Sequence, residues 1–250
     1  MLTKRKENVC KYLRHYTSLS HLIDILENHH LPLMNPFFWT DKNDAFCVEK
    51  SSKNAVGVIC FSTLNEECNL FWESYAKDGV GVCILFNKKE IEKILNSKSE
   101  YINKKVEYLT YDKDGYLQDT KHKSFRITDR KDLAFIKNIA YEIEHEYRIV
   151  LFSKKTTIQC SKVIGYLKLG SKMDKYISKI LLSPFLSESQ RKDIKHLLEI
   201  YLEKTGLGNI EVKSSKIAED VKWRNAIRKL KRNLQKGEKN EDKTPFLHSR

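Results

Sequence analysis

Between Tyr141 and Phe152 the chain reads YEIEHEYRIVLF. From His145 onward it is rich in β-branched and aromatic residues, which predicts a strand over His145 to Phe152. Side chains alternate between the faces of a strand, so Glu144, Glu146 and Arg148 would share one face and His145, Tyr147, Ile149 and Leu151 the other. Two carboxylates two residues apart on a buried sheet repel each other and are costly to desolvate. A protein keeps such a pair more readily where negative charge is used. The plain structural alternative is that Arg148, with lysines nearby, neutralises the pair at a sheet edge.

Working outward, the apolar runs Ala55–Ser62 (AVGVICFS) and Gly81–Phe86 (GVCILF) read as buried strands. Lys11–Thr17, Lys105–Thr110, Ser178–Leu182 and Ile210–Val212 read as further strands, and Leu31–Met34 as a short extended piece. Ser18 or Ser20 could cap a helix whose inner face carries Leu19, Leu22, Ile23, Ile25 and Leu26. Leu70–Ala76 and Lys88–Leu95 read as helical, and Asp129 or Asp132 opens a helix running to Ala140 or Tyr141. Ser187–Lys204 is an amphipathic helix with Ile194, Leu197, Leu198, Ile200 and Tyr201 inward, ended by Gly206 and Gly208. Lys216–Gln235 is a basic helix with Ile217, Val221, Ile227, Leu230 and Leu234 along one stripe. Asn35–Asp44 and Asp114–Lys123 read as loops. There is no internal repeat and no regular βαβ rhythm, so the class is α+β.

The chain has 250 residues, room for one or two domains. Its 11 Phe, 12 Tyr and 3 Trp, with 40% hydrophobic residues, are enough for a core and exclude a disordered or collagen-like chain. No apolar run reaches the roughly 18 residues of a membrane span, and the charged start, Met1 to Asn8, is unlike a signal peptide. The six cysteines contain no Cys-x-x-Cys pair and read as reduced thiols of a cytoplasmic protein. The net charge is +13, and the last 29 residues hold ten Lys or Arg against three Asp or Glu. Such a block attracts phosphate through counterion release, which makes nucleic acid the natural partner, although a solvated tail explains it as well. Lys222, Arg224, Arg228, Lys229, Lys231 and Arg232 are the candidate contacts.

Three further groups bear on chemistry. KYLRHYTS places Arg14 and Tyr16 on one strand face and His15 and Thr17 on the other, and His15 could hold a ligand amide or hydroxyl or simply be a satisfied core residue. Trp72 and Tyr75, three apart on a helix, could stack on a planar ring or pack into the core. Asn43 and Asp44 in the aromatic loop could touch cofactor or target. No phosphate loop, dinucleotide fingerprint or Gly-x-Ser-x-Gly elbow is present, His29-His30 lacks partners at zinc spacing, and no base marks Cys60 or Cys68 as a nucleophile. No metal is therefore expected.

The blocks KYLRHYTS, LPLMNPFFWTDKNDAF, VICFSTLNEECNLFWESYAKDGVGVCILF, YEIEHEYRIV, ILLSPF and VKSSKI, in that order from about residue 11 to 217, resemble a family of bacterial proteins found in phage-defence and toxin settings. That family looks like a distant branch of the ADP-ribosyltransferase fold. The resemblance implies an ADP-ribosyltransferase-like domain over 1–215 with split mixed and antiparallel sheets and peripheral helices. The basic helix over 216–235 and a disordered basic tail over 236–250 lie beyond it. It further implies NAD as the substrate, Glu146 and Glu144 as catalytic residues, and His15, Tyr16, Thr17, Ser62 or Tyr75, with Asn43, around the cofactor. Which of Arg14 and His15 faces the pocket stays open. The implied role is a cytoplasmic toxin or defence effector modifying RNA ahead of DNA, and both ahead of protein, with an antitoxin or chaperone as a possible partner and no membrane. A non-catalytic nucleic-acid- or partner-binding module is the alternative. A metal-dependent nuclease using the two glutamates is weaker, because no Asp partner sits at suitable spacing.

Overall fold

The structure is a computed structural model and describes residues 10–76, 79–121, 123–154, 161–217 and 223–231. The strands are β1 (Tyr12–Ser18), β2 (His30–Met34), β3 (Val56–Ser62), β4 (Gly81–Asn87), β5 (Tyr101–Lys105), β6 (Glu107–Tyr111), β7 (Leu117–Gln118), β8 (Ile136–Asn138), β9 (Glu146–Phe152), β10 (Val163–Lys168), β11 (Ile177–Leu182) and β12 (Glu211–Ser214). The α-helices are α1 (Leu19–Asn28), α2 (Lys42–Lys50), α3 (Asn69–Tyr75), α4 (Lys88–Leu95), α5 (Met173–Tyr176) and α6 (Glu188–Lys204). Residues 223–231 are also helical.

Nine strands form one mixed sheet around β3. One edge of β3 pairs antiparallel with β9 along its whole length, from Val56↔Phe152 to Ser62↔Glu146. The other edge is shared. It meets β2 only at Met34↔Val58 and β1 only at Arg14↔Ser62, so the sheet splits there. Beyond the split run β1, β4, β11 and β12, with β11 and β12 parallel. On the far side of β9 lies β5.

One face of the sheet carries the main core. Leu13, Ile59, Phe61, Ile84, Phe86 and Ile149 pack there under α1, α4, α5 and α6. The opposite face has two smaller clusters. Phe71 and Trp72 of α3 cover Tyr16, Cys83 and Leu85, while Val48 of α2 with Ala134 and Phe135 covers Val56, Val58 and Val150. Between these clusters the same face bears polar side chains, because directly paired residues point the same way. Arg14, Ser62 and Glu146 lie abreast across β1, β3 and β9, with Arg148 one pleat further along β9.

Local signals explain most elements. Ser18 caps α1, and Ser187 with Gln190 forms a capping box at α6. Several expectations need correction. Asn35–Asp44 is not all loop: Asp41 accepts from the Asn43 and Asp44 N–H groups and starts α2 there. The helix expected from Asp129 is a short 3-10 turn, then β8, then a second 3-10 turn over Ile139–Glu144. β8, which contains Lys137, pairs parallel with β6, and that long-range pairing overrode local helical preference. The strand after it begins at Glu146, not His145. Leu197 is exposed, while Leu198 and Leu202 carry the buried stripe of α6. Ile217 precedes the terminal helical stretch, and Ile227 and Leu230 are exposed rather than packed. Val221, Leu234 and the tail expected over 236–250 lie outside the described residues. No helix among the described residues is long and apolar enough to cross a membrane.

Candidate active site

Five charged side chains converge between the two smaller clusters. Arg148 is fully buried in β9. Its Nε and Nη2 bind Glu146 Oε1 and Oε2 at 2.7 and 3.0 Å, its Nη2 binds Asp44 Oδ2 at 2.6 Å, and its Nη1 donates to the Ala134 carbonyl at 3.0 Å. Lys137 Nζ lies 2.6 Å from Glu144 Oε2, 3.3 Å from Glu146 Oε2 and 3.5 Å from Asp44 Oδ2. With all three acids ionised, the cluster keeps one negative charge. Aromatic rings surround it: Trp39 beside the Arg148 guanidinium, Tyr141 against the Lys137 ammonium, and Tyr75, whose hydroxyl donates to Glu144 Oε1 at 2.8 Å.

Backbone conformation brings the two glutamates together. Glu144 ends a 3-10 turn, and His145 adopts the left-handed region at φ 43°, which suits glycine far better than histidine. The Thr63 N–H and hydroxyl both donate to the His145 carbonyl, at 2.9 and 2.8 Å, and hold the reversal in place. The Glu146 N–H donates to Tyr108 Oη at 2.8 Å. The glutamates therefore meet over Lys137 because of a chain reversal, not through the alternation of one strand. The expected neutralisation by Arg148 is present, though in the interior of the sheet, since β9 lies between β3 and β5.

The acids are inequivalent. Burial would push Glu146 upward, but the Arg148 charge and hydrogen bonds, with Lys137, bring it down to about 2, so it is ionised at neutral pH. Burial raises Asp44 despite Arg148, and its Oδ1 has no hydrogen-bond partner among the described residues. Burial pushes the Cys60 thiol up, and Glu146 beside it adds to the shift. Burial also raises the Tyr75 hydroxyl, and neighbouring Glu144 adds to that shift. Glu146 is thus the inner, charged acid. Glu144 is the outer one, reached from solvent past the half-exposed Tyr75.

The remaining predicted residues divide by face. Ser62 shares the row of Glu146, and its hydroxyl accepts from the Leu64 N–H at 3.2 Å. Arg14 is the residue of its pair on this face, and its Nε donates to the Leu64 carbonyl at 2.9 Å. His15 and Thr17 point to the opposite face. His15 Nδ1 lies 3.0 Å from the Cys60 carbonyl, across the split where β1 and β3 no longer pair, and Thr17 Oγ1 is 3.1 Å from His21 Nδ1. Tyr16 is on the site's face but sealed edge-on beneath Trp72. Trp72 and Tyr75, three residues apart, separate into core and rim. Asn43 is exposed at the start of α2, beside buried Asp44. Lys137 gave no sequence signal, being one basic residue among 46.

Clefts of about 400 Å³ lie elsewhere, along α6 and β12. The five cysteines described are free, and no group of three or more His, Cys, Asp or Glu suited to a metal occurs among the described residues.

Fold and site thus define a mixed α+β protein with a buried acid–base cluster on one sheet face. Residues 71–149 match a family described as a protein of unknown function (DUF2971). That stretch runs from α3 into β9 and holds Tyr75, Lys137, Glu144, Glu146 and Arg148, but not Arg14, Asp44 or Ser62. No curated protein and no solved structure matches the chain.

Proposed function

We propose that this chain transfers ADP-ribose from NAD to a macromolecule, as a toxin or anti-phage defence effector, with RNA ahead of DNA as the acceptor. The observation that carries the reading is Glu146, a buried carboxylate kept ionised and rigidly oriented by Arg148 and Lys137. As the nicotinamide–ribose bond breaks, nicotinamide leaves with the bonding electron pair and positive charge develops on the ribose. A preoriented carboxylate stabilises that charge without reorganising, an effect worth roughly 3–4 kcal/mol per well-placed group elsewhere. Glu146 takes this role. Glu144, nearer solvent, accepts the proton of the acceptor hydroxyl or amine as it bonds to the ribose carbon. Arg14 and Ser62, in the same row as Glu146, are the polar groups that would position the dinucleotide. The chain's charge of +13 favours a polyanionic acceptor.

The experiment is incubation of purified protein with NAD labelled in the adenylate moiety and with total RNA, DNA and protein, alongside a nicotinamide-release assay. The parent labels nucleic acid, Glu146→Gln loses both label and release, and Glu144→Gln keeps slow release but loses transfer. Absence of label and release in the folded parent refutes the proposal, as does Glu146→Gln behaving like the parent. Circular dichroism melts show that each variant is folded.

A further inference from the structure

We infer that the cleft between the first half of α6 and the end of β12 binds the phosphate backbone of a nucleic acid. The cleft has a volume of about 400 Å³ and is lined by Arg191, Lys192, Lys195 and Lys216, two serines and a single acid, Glu188. A neighbouring cleft of the same volume carries the opposite balance, with Glu199, Glu203 and Glu211 against Lys195 and Lys213. An anion is therefore drawn to one end of the α6 groove and turned away from the other.

Two cations of the first cleft, Lys192 and Lys195, are weakly engaged. Lys192 and Lys195 make only long, exposed contacts with Glu188 and Glu199, at 3.9 and 3.7 Å. Such pairs are worth a few tenths of a kcal/mol and yield to a phosphate. The Lys216 side chain makes no ion pair among the described residues, while its N–H donates to Glu67 Oε1 at 3.0 Å. Glu67 in turn accepts from the buried Trp72 indole at 3.3 Å, which anchors this end of the cleft to α3. The chain then continues, six residues on, into the helical stretch 223–231 with Arg224, Arg228, Lys229 and Lys231, which extends the positive surface in sequence. Charge complementarity along a groove suits a phosphodiester chain, and binding of this kind needs no base readout.

The inference stands apart from the NAD chemistry, since binding is measured without NAD. The test is fluorescence anisotropy of a labelled single-stranded RNA and a labelled duplex DNA, each about 20 nucleotides long, titrated with the full chain across about 50–200 mM salt. Reversing two exposed cleft charges, Lys192→Glu with Lys195→Glu, weakens binding by roughly tenfold or more. It also makes the salt dependence of RNA binding shallower by about 1.4 in log–log slope, two phosphate contacts' worth. The matched reversal of two exposed lysines elsewhere, Lys53→Glu with Lys113→Glu, weakens binding by no more than about threefold, the effect of net charge alone. Equal weakening by both pairs overturns the inference. So does an unchanged affinity after the cleft reversal, or displacement of RNA by inorganic phosphate at matched ionic strength, which marks a small-anion site.

Discussion

Replacing Lys137 by Met removes the ammonium that faces Glu144, Glu146 and Asp44 at 2.6, 3.3 and 3.5 Å and leaves Arg148 alone against three carboxylates. At an effective dielectric of about 20, each of these contacts is worth roughly 5–6 kcal/mol gross. Most of that is offset by the cost of burying the ammonium and by repulsion among the acids. The expected net loss is about 3–5 kcal/mol, the usual cost of breaking a buried pair, and a large part of a typical domain's stability. The loss depends on pH with a definite sign. In the parent, Glu146 has a folded-state pKa lowered to about 2, so its stabilisation is complete above the ordinary carboxylate range and disappears only as pH falls towards 2. Without Lys137, which helps to lower Glu146, the folded-state pKa of Glu146 rises. The unfolded chain titrates alike in both proteins, so the deficit grows as pH increases through the interval between the two folded-state values and is constant above it. Urea unfolding followed by tryptophan fluorescence at pH 3 and pH 7 measures the difference, with the larger deficit at pH 7. Adding Glu144→Gln to Lys137→Met recovers about 1 kcal/mol or more, because the unpaired outer charge is gone. A deficit below about 1 kcal/mol, or one identical at both pH values, refutes the claim that these charges form one tightly coupled cluster.

Two further outcomes test the backbone around the site. His145→Gly costs less than about 0.5 kcal/mol or stabilises, because glycine adopts the left-handed conformation without strain, whereas His145→Val costs about 1–3 kcal/mol in the same chemical melts. Equal costs for the two would show that the reversal between Glu144 and Glu146 is not strained. Gly81→Ala places a methyl 2.0 Å from the Ala76 carbonyl oxygen, where the end of α3 crosses β4, so that backbone must move. A loss above about 2 kcal/mol is expected, and a melting temperature within a degree of the parent refutes the close approach.

The sheet's interior strands were legible because their hydrophobicity is continuous. Val56–Ser62 and Gly81–Asn87 are buried on both faces, and no other environment suits such runs. The capped helices α1 and α6 were legible for local reasons as well, since their caps and stripes lie within a few residues. β10 and β5 carry no such signal, because they are half-buried strands whose partners, β2 and β9, are distant in the chain. The helix expected from Asp129 or Asp132 to Ala140 or Tyr141 fails for the same reason: short-range signals compete poorly with a parallel pairing to β6.

The order of residues alone determined that this is an α+β chain, strongly basic at its end, with two glutamates and an arginine clustered where an apolar strand begins. Tertiary structure decided which charges meet. Lys137 and Asp44 come from separate segments, and no periodicity announces that one ammonium will touch three acids. The single register pair Arg14↔Ser62 decided that Arg14, not His15, faces Glu146, since a shift of one residue would have exchanged them. Periodicity is a property of neighbours in sequence, whereas electrostatic coupling depends on distance in space.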